Sequence, residues 1–357
     1  MKKTDIIKLI RPNVRSLKAY EAKEIKCRIK LDANESPFSP LPADLVARDK
    51  KLFAALNRYP DPEGKALKKA LAGENGVTSK SILLGNGSDE IIYYLITTLG
   101  GPVLFPTPTF VMYGIIARAL GEKAISVPLD SGYDLDMDKM LKAIKKEKPR
   151  LIFLASPNNP TGNCYSAERI LKIIEASKGI VVVDEAYQPF ASRQGFLPLL
   201  KDYPNLVILR TMSKIGFASL RVGYMIADES LTAEVEKVRL PYNLKTLSQA
   251  MALMGIKQMK LVDATVRKIT SERERLMKAL SSIQGVTPCP SEANFILFRV
   301  SDPDMVFDKL LKQGILIKNM NGIIRNAMRI TVGTRAENDL FIKALNKAVM
   351  EINREAK

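Results

Sequence analysis

Hydrophobic residues between about residue 41 and residue 240 fall into short continuous runs that alternate with amphipathic helical segments. Glycine, proline or asparagine bounds each run, and these residues interrupt regular structure. Apolar strands separated by helices predict a mostly parallel sheet that is covered by helices on both faces. The runs are SILLGNG, GPVLFP, KAISVPL, RLIFLASP, GIVVVDEAY, NLVILRTMS and RVGYMIAD. The pattern therefore predicts an α/β domain around a seven-stranded sheet.

The remaining segments predict two further parts. Residues 1–40 have the pattern of an arm, with a short helix followed by the extended IKLDANESPFSP, and we expect this arm to join the smaller domain. The large domain is predicted over residues 41–245. Beyond PYNLKTLSQ, a long helical stretch leads into strands NFILFRV, GILIKNM and MRITVG, with a helix over about 303–313 and a closing C-terminal helix. Residues 246–357 are therefore predicted to form a small α+β domain.

Composition narrows the possible chemistry. The chain has 357 residues, 46% of them hydrophobic, with three separated cysteines and no histidine. No disulfide framework or metal site is expected from this set, and histidine-based catalysis is excluded, which leaves Lys, Tyr, Asp and Glu for proton transfer. No apolar run reaches the roughly 18 residues of a membrane span, and MKKTDIIKLIRPNV lacks the long apolar stretch of a signal peptide. We expect a cytoplasmic protein with no membrane partner.

The formal net charge of +17 favours anionic partners. The lysines are scattered along helical segments such as KALKKALAG, which is typical of solvated helix faces, and no nucleic-acid-binding signature accompanies them. We interpret the charge as favouring phosphorylated small molecules, with no nucleic acid as partner. The alternative from a different functional class is a non-catalytic, regulatory protein that uses the same predicted fold to bind nucleic acid.

Three motifs with complementary chemistry occur in order along the large domain. Asn159 lies in SPNNPTG, Asp184 and Tyr187 in VVVDEAY, and Lys214 in TMSK. Each motif follows a predicted strand, and ligands of parallel sheets bind beyond the carboxyl ends of strands. An amine can condense with the aldehyde of pyridoxal 5′-phosphate (PLP), a carboxylate can pair with its pyridinium nitrogen, and an amide and a phenol can hydrogen-bond its ring oxygen. The set predicts a PLP site in which Lys214 also moves the substrate proton.

Other residues supply what the cofactor phosphate and ring require. GNGSDE ends a predicted strand and opens a helix, so the N–H groups of Ser88 and Asp89 can bind a phosphate. The Ser213 hydroxyl and the Arg221 guanidinium can bind the same anion. Phe110 is a candidate for stacking on the ring face, and a core position explains it equally well.

These motifs, together with IRPNVRSLKAY, KLDANESPF and NRYPDPEG, resemble the aspartate-aminotransferase-like PLP enzymes of fold type I. NPTG, DEAY and SK followed by Arg221 indicate this superfamily, and RPNV, NRYPDPEG and MRITVGT are more typical of its histidinol-phosphate aminotransferase branch. The resemblance extends from Arg11 to the end of the chain. It implies a homodimeric transaminase that converts L-histidinol phosphate and 2-oxoglutarate into imidazole-acetol phosphate and glutamate, in histidine biosynthesis.

The resemblance also implies roles for residues outside the large-domain motifs. Tyr59 would reach the cofactor phosphate of the neighbouring subunit. Arg329 would bind the carboxylate of glutamate and the substrate phosphate, Tyr20 would lie near that phosphate, and Asn34 would lie near the substrate entrance.

The sequence departs from the branch at two points. The segment between Lys214 and Arg221 is one residue shorter than usual. Lys318 stands where the branch generally has an arginine on the substrate phosphate, and lysine keeps the charge but loses the bidentate fork. An aromatic or broad-specificity aminotransferase and a threonine-phosphate decarboxylase, both on the same scaffold, therefore remain alternatives.

Overall fold

A computed structural model of the protein describes residues 11–17, 25–42 and 57–355. The strands, in chain order, are β1 (Ile29–Lys30), β2 (Ile82–Asn86), β3 (Val103–Thr107), β4 (Ala124–Pro128), β5 (Leu151–Ala155), β6 (Ile180–Asp184), β7 (Leu206–Thr211), β8 (Val222–Ile226), β9 (Thr287–Pro288), β10 (Phe295–Arg299), β11 (Ile315–Leu316), β12 (Lys318–Asn319) and β13 (Ala327–Thr331). The α-helices, in chain order, are α1 (Pro12–Arg15), α2 (Lys65–Asn75), α3 (Ser88–Leu99), α4 (Met112–Leu120), α5 (Met137–Glu147), α6 (Ala167–Ala176), α7 (Glu229–Glu236), α8 (Thr246–Lys257), α9 (Met259–Ser281), α10 (Pro303–Lys312) and α11 (Arg335–Glu355). Short 3-10 helices occur at Ser79–Ser81, Gln188–Phe190, Leu197–Lys201, Ser213–Ile215 and Ala218–Leu220.

The predicted seven-stranded sheet is confirmed, and its order is β2-β8-β7-β6-β5-β3-β4. Each apolar run of the sequence supplies one strand. β8 runs antiparallel to both of its neighbours, whereas the other pairs are parallel. Residues 212–221, which connect β7 to β8, are too few for the crossover that a parallel pair requires. β8 therefore pairs antiparallel with β7.

Helices cover this sheet on both faces, as the continuous apolar strands require. On one face, α3 and α4 pack through residues such as Ile91 and Tyr113. On the other face, α5 and α6 pack through residues such as Met140 and Ile170. Every residue of β5 is buried between the two layers. The carboxyl ends of the central strands therefore form a rigid edge from which side chains can project.

A smaller antiparallel sheet of order β12-β13-β10-β9 follows, with α10 and α11 beside it. The N-terminal strand β1 pairs in parallel with β11, next to this sheet. The buried guanidinium of Arg273 on α9 donates to the carbonyls of Phe190 and Ala293, which joins the turn after β6 to the segment before β10. The domain limits at residues 40 and 245 stay predictions.

The described part of the chain contains no helix that is long and apolar enough to cross a membrane.

Candidate active site

The three motifs converge because the strands that carry them are neighbours in the sheet. β5, β6 and β7 lie side by side and run parallel. Asn159 lies in the loop after β5, Asp184 is the last residue of β6, and Lys214 lies in the 3-10 turn Ser213–Ile215 directly after β7. These side chains therefore emerge at one edge of the sheet, where parallel sheets bind ligands.

Asp184 is held as a buried carboxylate with two neutral hydrogen-bond donors. It is 5% exposed, and it accepts hydrogen bonds from Tyr113 Oη at 2.6 Å and from the Ala186 amide at 3.0 Å. Burial raises the pKa of Asp184 to about 6, and the two donors partly oppose this increase. A cationic N–H group beside Asp184 would lower the pKa of Asp184 and keep the carboxyl group ionised. A pyridinium nitrogen is such a group.

Tyr113 is a site residue that the sequence analysis missed. Its ring stacks on Phe153 at 4.7 Å between centroids, and Phe110 packs edge-on against it at 5.6 Å. Phe110 is only partly buried. Phe110 precedes α4, so no helical spacing pairs the two rings, and no signal in the sequence distinguishes Tyr113 from a core aromatic.

Asn159 and Tyr187 are each oriented by a residue from outside the large sheet. Arg329 donates through Nη1 to Asn159 Oδ1, so the Asn159 amide nitrogen remains as a donor. Asn34 Nδ2 donates to Tyr187 Oη at 2.9 Å. Lys214 Nζ lies 5.7 Å from the centroid of the Tyr187 ring. The Lys214 amine therefore lies beside Tyr187, one of the two groups predicted to contact the ring oxygen.

A cradle for an anion forms where α3 begins beside β8. A Cβ at Gly223 would lie 2.4 Å from Ser88 N, so glycine is required for the two backbones to meet. Arg221 adopts the left-handed backbone at φ 53°, and its Nη2 lies 3.2 Å from Asp89 Oδ2 at the helix N-terminus. The shortened segment between Lys214 and Arg221 thus still places the Arg221 guanidinium at the N-terminus of α3. Ser213 is buried close by, with its hydroxyl 3.0 Å from that of Thr211.

Arg329 and Lys318 lie opposite each other in the antiparallel pairing of β13 with β12. Arg329 is buried, lies 5.2 Å over the Phe295 ring and donates to the Asp32 carbonyl at 2.8 Å. Lys318 is exposed. The two cations form a positive pair that can meet an acidic substrate beside Asn159.

Tyr59 lies at the surface of the described chain. Tyr59 is 82% exposed and stacks on Tyr242 at 4.7 Å between ring centroids. Tyr20 lies outside the described residues. Among the described residues there is no group of three or more acidic or cysteine side chains arranged to hold a metal ion.

The residues present fit PLP. The cradle at α3 has the amides, hydroxyl and guanidinium that a phosphate requires, and its glycines leave no room for a Cβ. The buried Asp184 carboxylate suits a protonated ring nitrogen. Lys214 supplies an amine at the same edge of the sheet, and Asn159 and Tyr187 supply donors for a ring oxygen.

The fold and the site together define a class, and comparison with known proteins agrees with it. The chain belongs to the aminotransferase class I and II family, whose model matches residues 27–345. The resemblance inferred from the motifs is thereby confirmed, as is the α/β fold.

Individual relatives of known name give a more specific similarity than the family does. The chain is 41% identical over 355 residues to histidinol-phosphate aminotransferase 2 of Nitrosococcus oceani, covering 97% of this chain and 98% of the relative. It is 40% identical over 350 residues to histidinol-phosphate aminotransferase of Thermoanaerobacter pseudethanolicus, covering 96% and 99% of the two chains. A solved histidinol-phosphate aminotransferase from Sinorhizobium meliloti, in complex with pyridoxal-5′-phosphate, superposes with a TM-score of 0.87 at 26% identity, over 96% of this chain and 98% of that one.

Proposed function

We propose that the protein is a PLP-dependent aminotransferase that transfers the amino group of L-histidinol phosphate to 2-oxoglutarate, giving imidazole-acetol phosphate and glutamate in histidine biosynthesis. The observation that carries the proposal is that Asn159, Asp184 and Lys214 follow three neighbouring parallel strands, with Arg329 in contact with Asn159. The near-full-length similarity to histidinol-phosphate aminotransferases supports the choice of substrate. The proposal includes a homodimer and a cytoplasmic location.

Each part of the site would hold one part of the cofactor. The α3 N-terminus, with Ser88 and Asp89, would bind the phosphate together with Ser213 and Arg221. Asp184 would keep the ring nitrogen protonated, and Phe110 would cover one ring face. When bound, PLP supplies an aldehyde that condenses with amines and a ring that delocalises the electron pair left when the substrate Cα loses its proton.

The residues of the chain would then carry the reaction in two halves. When PLP and the substrate amine are bound, the Lys214 Nζ would take the proton from the substrate Cα and would later return it to the cofactor side. Asn159 and Tyr187 hold the ring oxygen by hydrogen bonds and so fix the ring plane relative to Lys214. The second substrate reverses these proton movements, which makes the kinetics ping-pong.

Substrate recognition would depend on the cationic pair. Arg329 has a planar fork that suits a carboxylate, and its orientation is fixed by Phe295 and by the Asp32 carbonyl. Lys318 adds a second positive charge on the same side of the small sheet. A substrate with a phosphate and a co-substrate with two carboxylates can therefore use the same positive pair in turn.

Tyr59 would complete the site of a second subunit. A tyrosine ring that is 82% exposed on a monomer has its hydroxyl available to a neighbouring chain, and stacking on Tyr242 restricts its direction. This supports a homodimer in which each subunit contributes a hydroxyl to its partner's cofactor phosphate.

The test is a stopped-flow absorbance record of the PLP-loaded protein mixed with histidinol phosphate and no acceptor. Stoichiometric conversion of the cofactor band at low substrate concentration is expected, and Lys214→Ala is expected to abolish multiple turnovers. Conversion by glutamate or an aromatic amino acid, but not by histidinol phosphate, would refute the substrate. Release of carbon dioxide from threonine phosphate would show a decarboxylase instead.

A further inference from the structure

Asn34 is a buried residue with an unusual backbone and a direct contact to the predicted cofactor site. It is 2% exposed and adopts the left-handed region at φ 54°. Its Nδ2 donates a hydrogen bond to Tyr187 Oη at 2.9 Å, across 153 positions of sequence. The expected location of Asn34 near the substrate entrance stays a prediction, and the structure adds its contact with the Tyr187 hydroxyl.

The neighbours of Asn34 hold it in one orientation. Its backbone N–H donates to Thr331 Oγ1 at 2.9 Å, and its carbonyl accepts from Asn294 Nδ2 at 3.1 Å. The Thr331 hydroxyl also lies 3.3 Å from Asn34 Oδ1, so the amide oxygen faces Thr331 and the amide nitrogen faces Tyr187. Residues of the small sheet thus determine which end of the Asn34 amide meets the tyrosine.

The direction of this hydrogen bond determines what Tyr187 can do. A phenol has one proton to donate and lone pairs that accept. Because the asparagine N–H already occupies an acceptor position, the Tyr187 proton is left to donate elsewhere. Among the described residues none accepts it. The ring of Tyr187 packs edge-on against Phe295 at 5.1 Å between centroids, which restricts where the ring and its oxygen lie.

We infer that Asn34 is a positioning residue that makes Tyr187 a hydrogen-bond donor toward the ring oxygen of the cofactor. The inference deepens the proposed function and rests on its PLP site. A hydrogen-bond donor to that oxygen stabilises its negative charge. The nitrogen that joins Lys214 to the cofactor is then protonated only at lower pH. Asn34 would thereby keep the resting enzyme in the unprotonated form at neutral pH.

Two substitutions at Asn34 separate its possible effects. Asn34→Gly keeps the left-handed backbone and removes the amide, so Tyr187 loses its orienting partner. Asn34→Asp keeps the shape and also tolerates this backbone, but it offers an acceptor where the amide offered a donor. The tyrosine proton would then turn toward residue 34 and away from the cofactor.

The measurement is the pH midpoint of the visible absorbance change of the PLP-loaded holoenzyme without substrate. The midpoint should rise by a few tenths of a unit in Asn34→Gly and by about one unit in Asn34→Asp, the size expected for loss of one hydrogen bond to a charged oxygen. Tyr187→Phe should raise it by about as much as Asn34→Asp. The decisive variant combines Asn34→Gly with Tyr187→Phe, and its midpoint should equal that of Tyr187→Phe alone.

A matched control is Asn326→Gly, which makes the same substitution at another left-handed asparagine, φ 59°, at the opposite end of β13 from Thr331. Its midpoint should remain that of the parent enzyme. Equal midpoints for Asn34→Gly, Asn34→Asp and the parent would overturn the inference, as would additive shifts in the double variant. A protein that forms no visible band with PLP in any variant would instead overturn the proposed function. Turnover of histidinol phosphate tests the substrate separately.

Discussion

The burial of Asp184 predicts that the free energy of unfolding of the cofactor-free protein decreases when Asp184 ionises. Burial raises the pKa of Asp184 from its usual 3.8 to about 6 in the folded protein. A group whose pKa is higher in the folded state favours folding when it is protonated. The contribution of protonated Asp184 to the free energy of unfolding is complete below the pKa that the group has in the unfolded chain. It is lost as the pH rises through the folded-state pKa of about 6. The shift of roughly two units corresponds to about 3 kcal/mol in total.

The assay compares the free energy of unfolding of the PLP-free protein with that of PLP-free Asp184→Asn, by urea denaturation at several pH values. Roughly half of the total is expected to be lost between pH 5 and pH 8, because most of the folded-state titration falls in that interval. The variant cannot ionise at this position, so its stability relative to the parent should increase by that amount over the interval. Constant differences from altered hydrogen bonds to Tyr113 or Ala186 cancel in this comparison.

The matched control is Asp138→Asn, which removes the same charge from an exposed position on α5. Tyr113→Phe provides a second check, because removing the hydroxyl donor at 2.6 Å should raise the pKa of Asp184 further and move the pH interval upward. A stability difference between the parent and Asp184→Asn that stays constant from pH 5 to pH 8 would refute the reasoning.

Three further predictions concern the phosphate cradle, the substrate and the subunit contact. Gly223→Ala places a Cβ 2.4 Å from Ser88 N and should weaken PLP binding by roughly 30-fold, measured by equilibrium titration, while Gly322→Ala, with no atom within 4 Å, should bind like the parent. Lys318→Ala should raise KM for histidinol phosphate roughly fivefold, and Lys318→Arg should restore it; an unchanged KM in steady-state assays would remove Lys318 from the phosphate site. Tyr59→Phe should increase the PLP dissociation rate roughly tenfold, and an unchanged rate would count against the proposed contact across the dimer.

The parts of the molecule that the sequence predicted share a physical cause. Strands of a helix-covered parallel sheet are buried on both faces, so each appears as a continuous apolar run, and Leu151–Ala155 is the clearest case. The motif residues Asn159, Asp184 and Lys214 follow such strands directly. Their convergence therefore required only that the strands be adjacent. Local sequence and one rule of sheet geometry were enough.

The parts that sequence did not predict depend on contacts between distant elements. Tyr113 meets Asp184 across 71 positions, and it does so because α4 packs on the face of the sheet where β6 ends. Nothing in the PTPTFVMY segment distinguishes this tyrosine from a core aromatic. The left-handed Arg221 likewise required the structure, since a shortened connection could have carried the side chain away from α3.

The orientation of the ring-oxygen donors shows most clearly why the remainder was inaccessible. Asn159 and Tyr187 belong to the large sheet, but Arg329 and Asn34, which orient them, come from β13 and the N-terminal segment. Arg329 also donates to the carbonyl of Asp32, so one short stretch of chain and one strand hold both donors. The small sheet and the N-terminal segment therefore fix the orientation of both side chains at the edge of the large sheet. Because the proposed substrate contacts come from the same elements, we predict that a change in how the small sheet packs would alter substrate affinity and the protonation of the resting cofactor together.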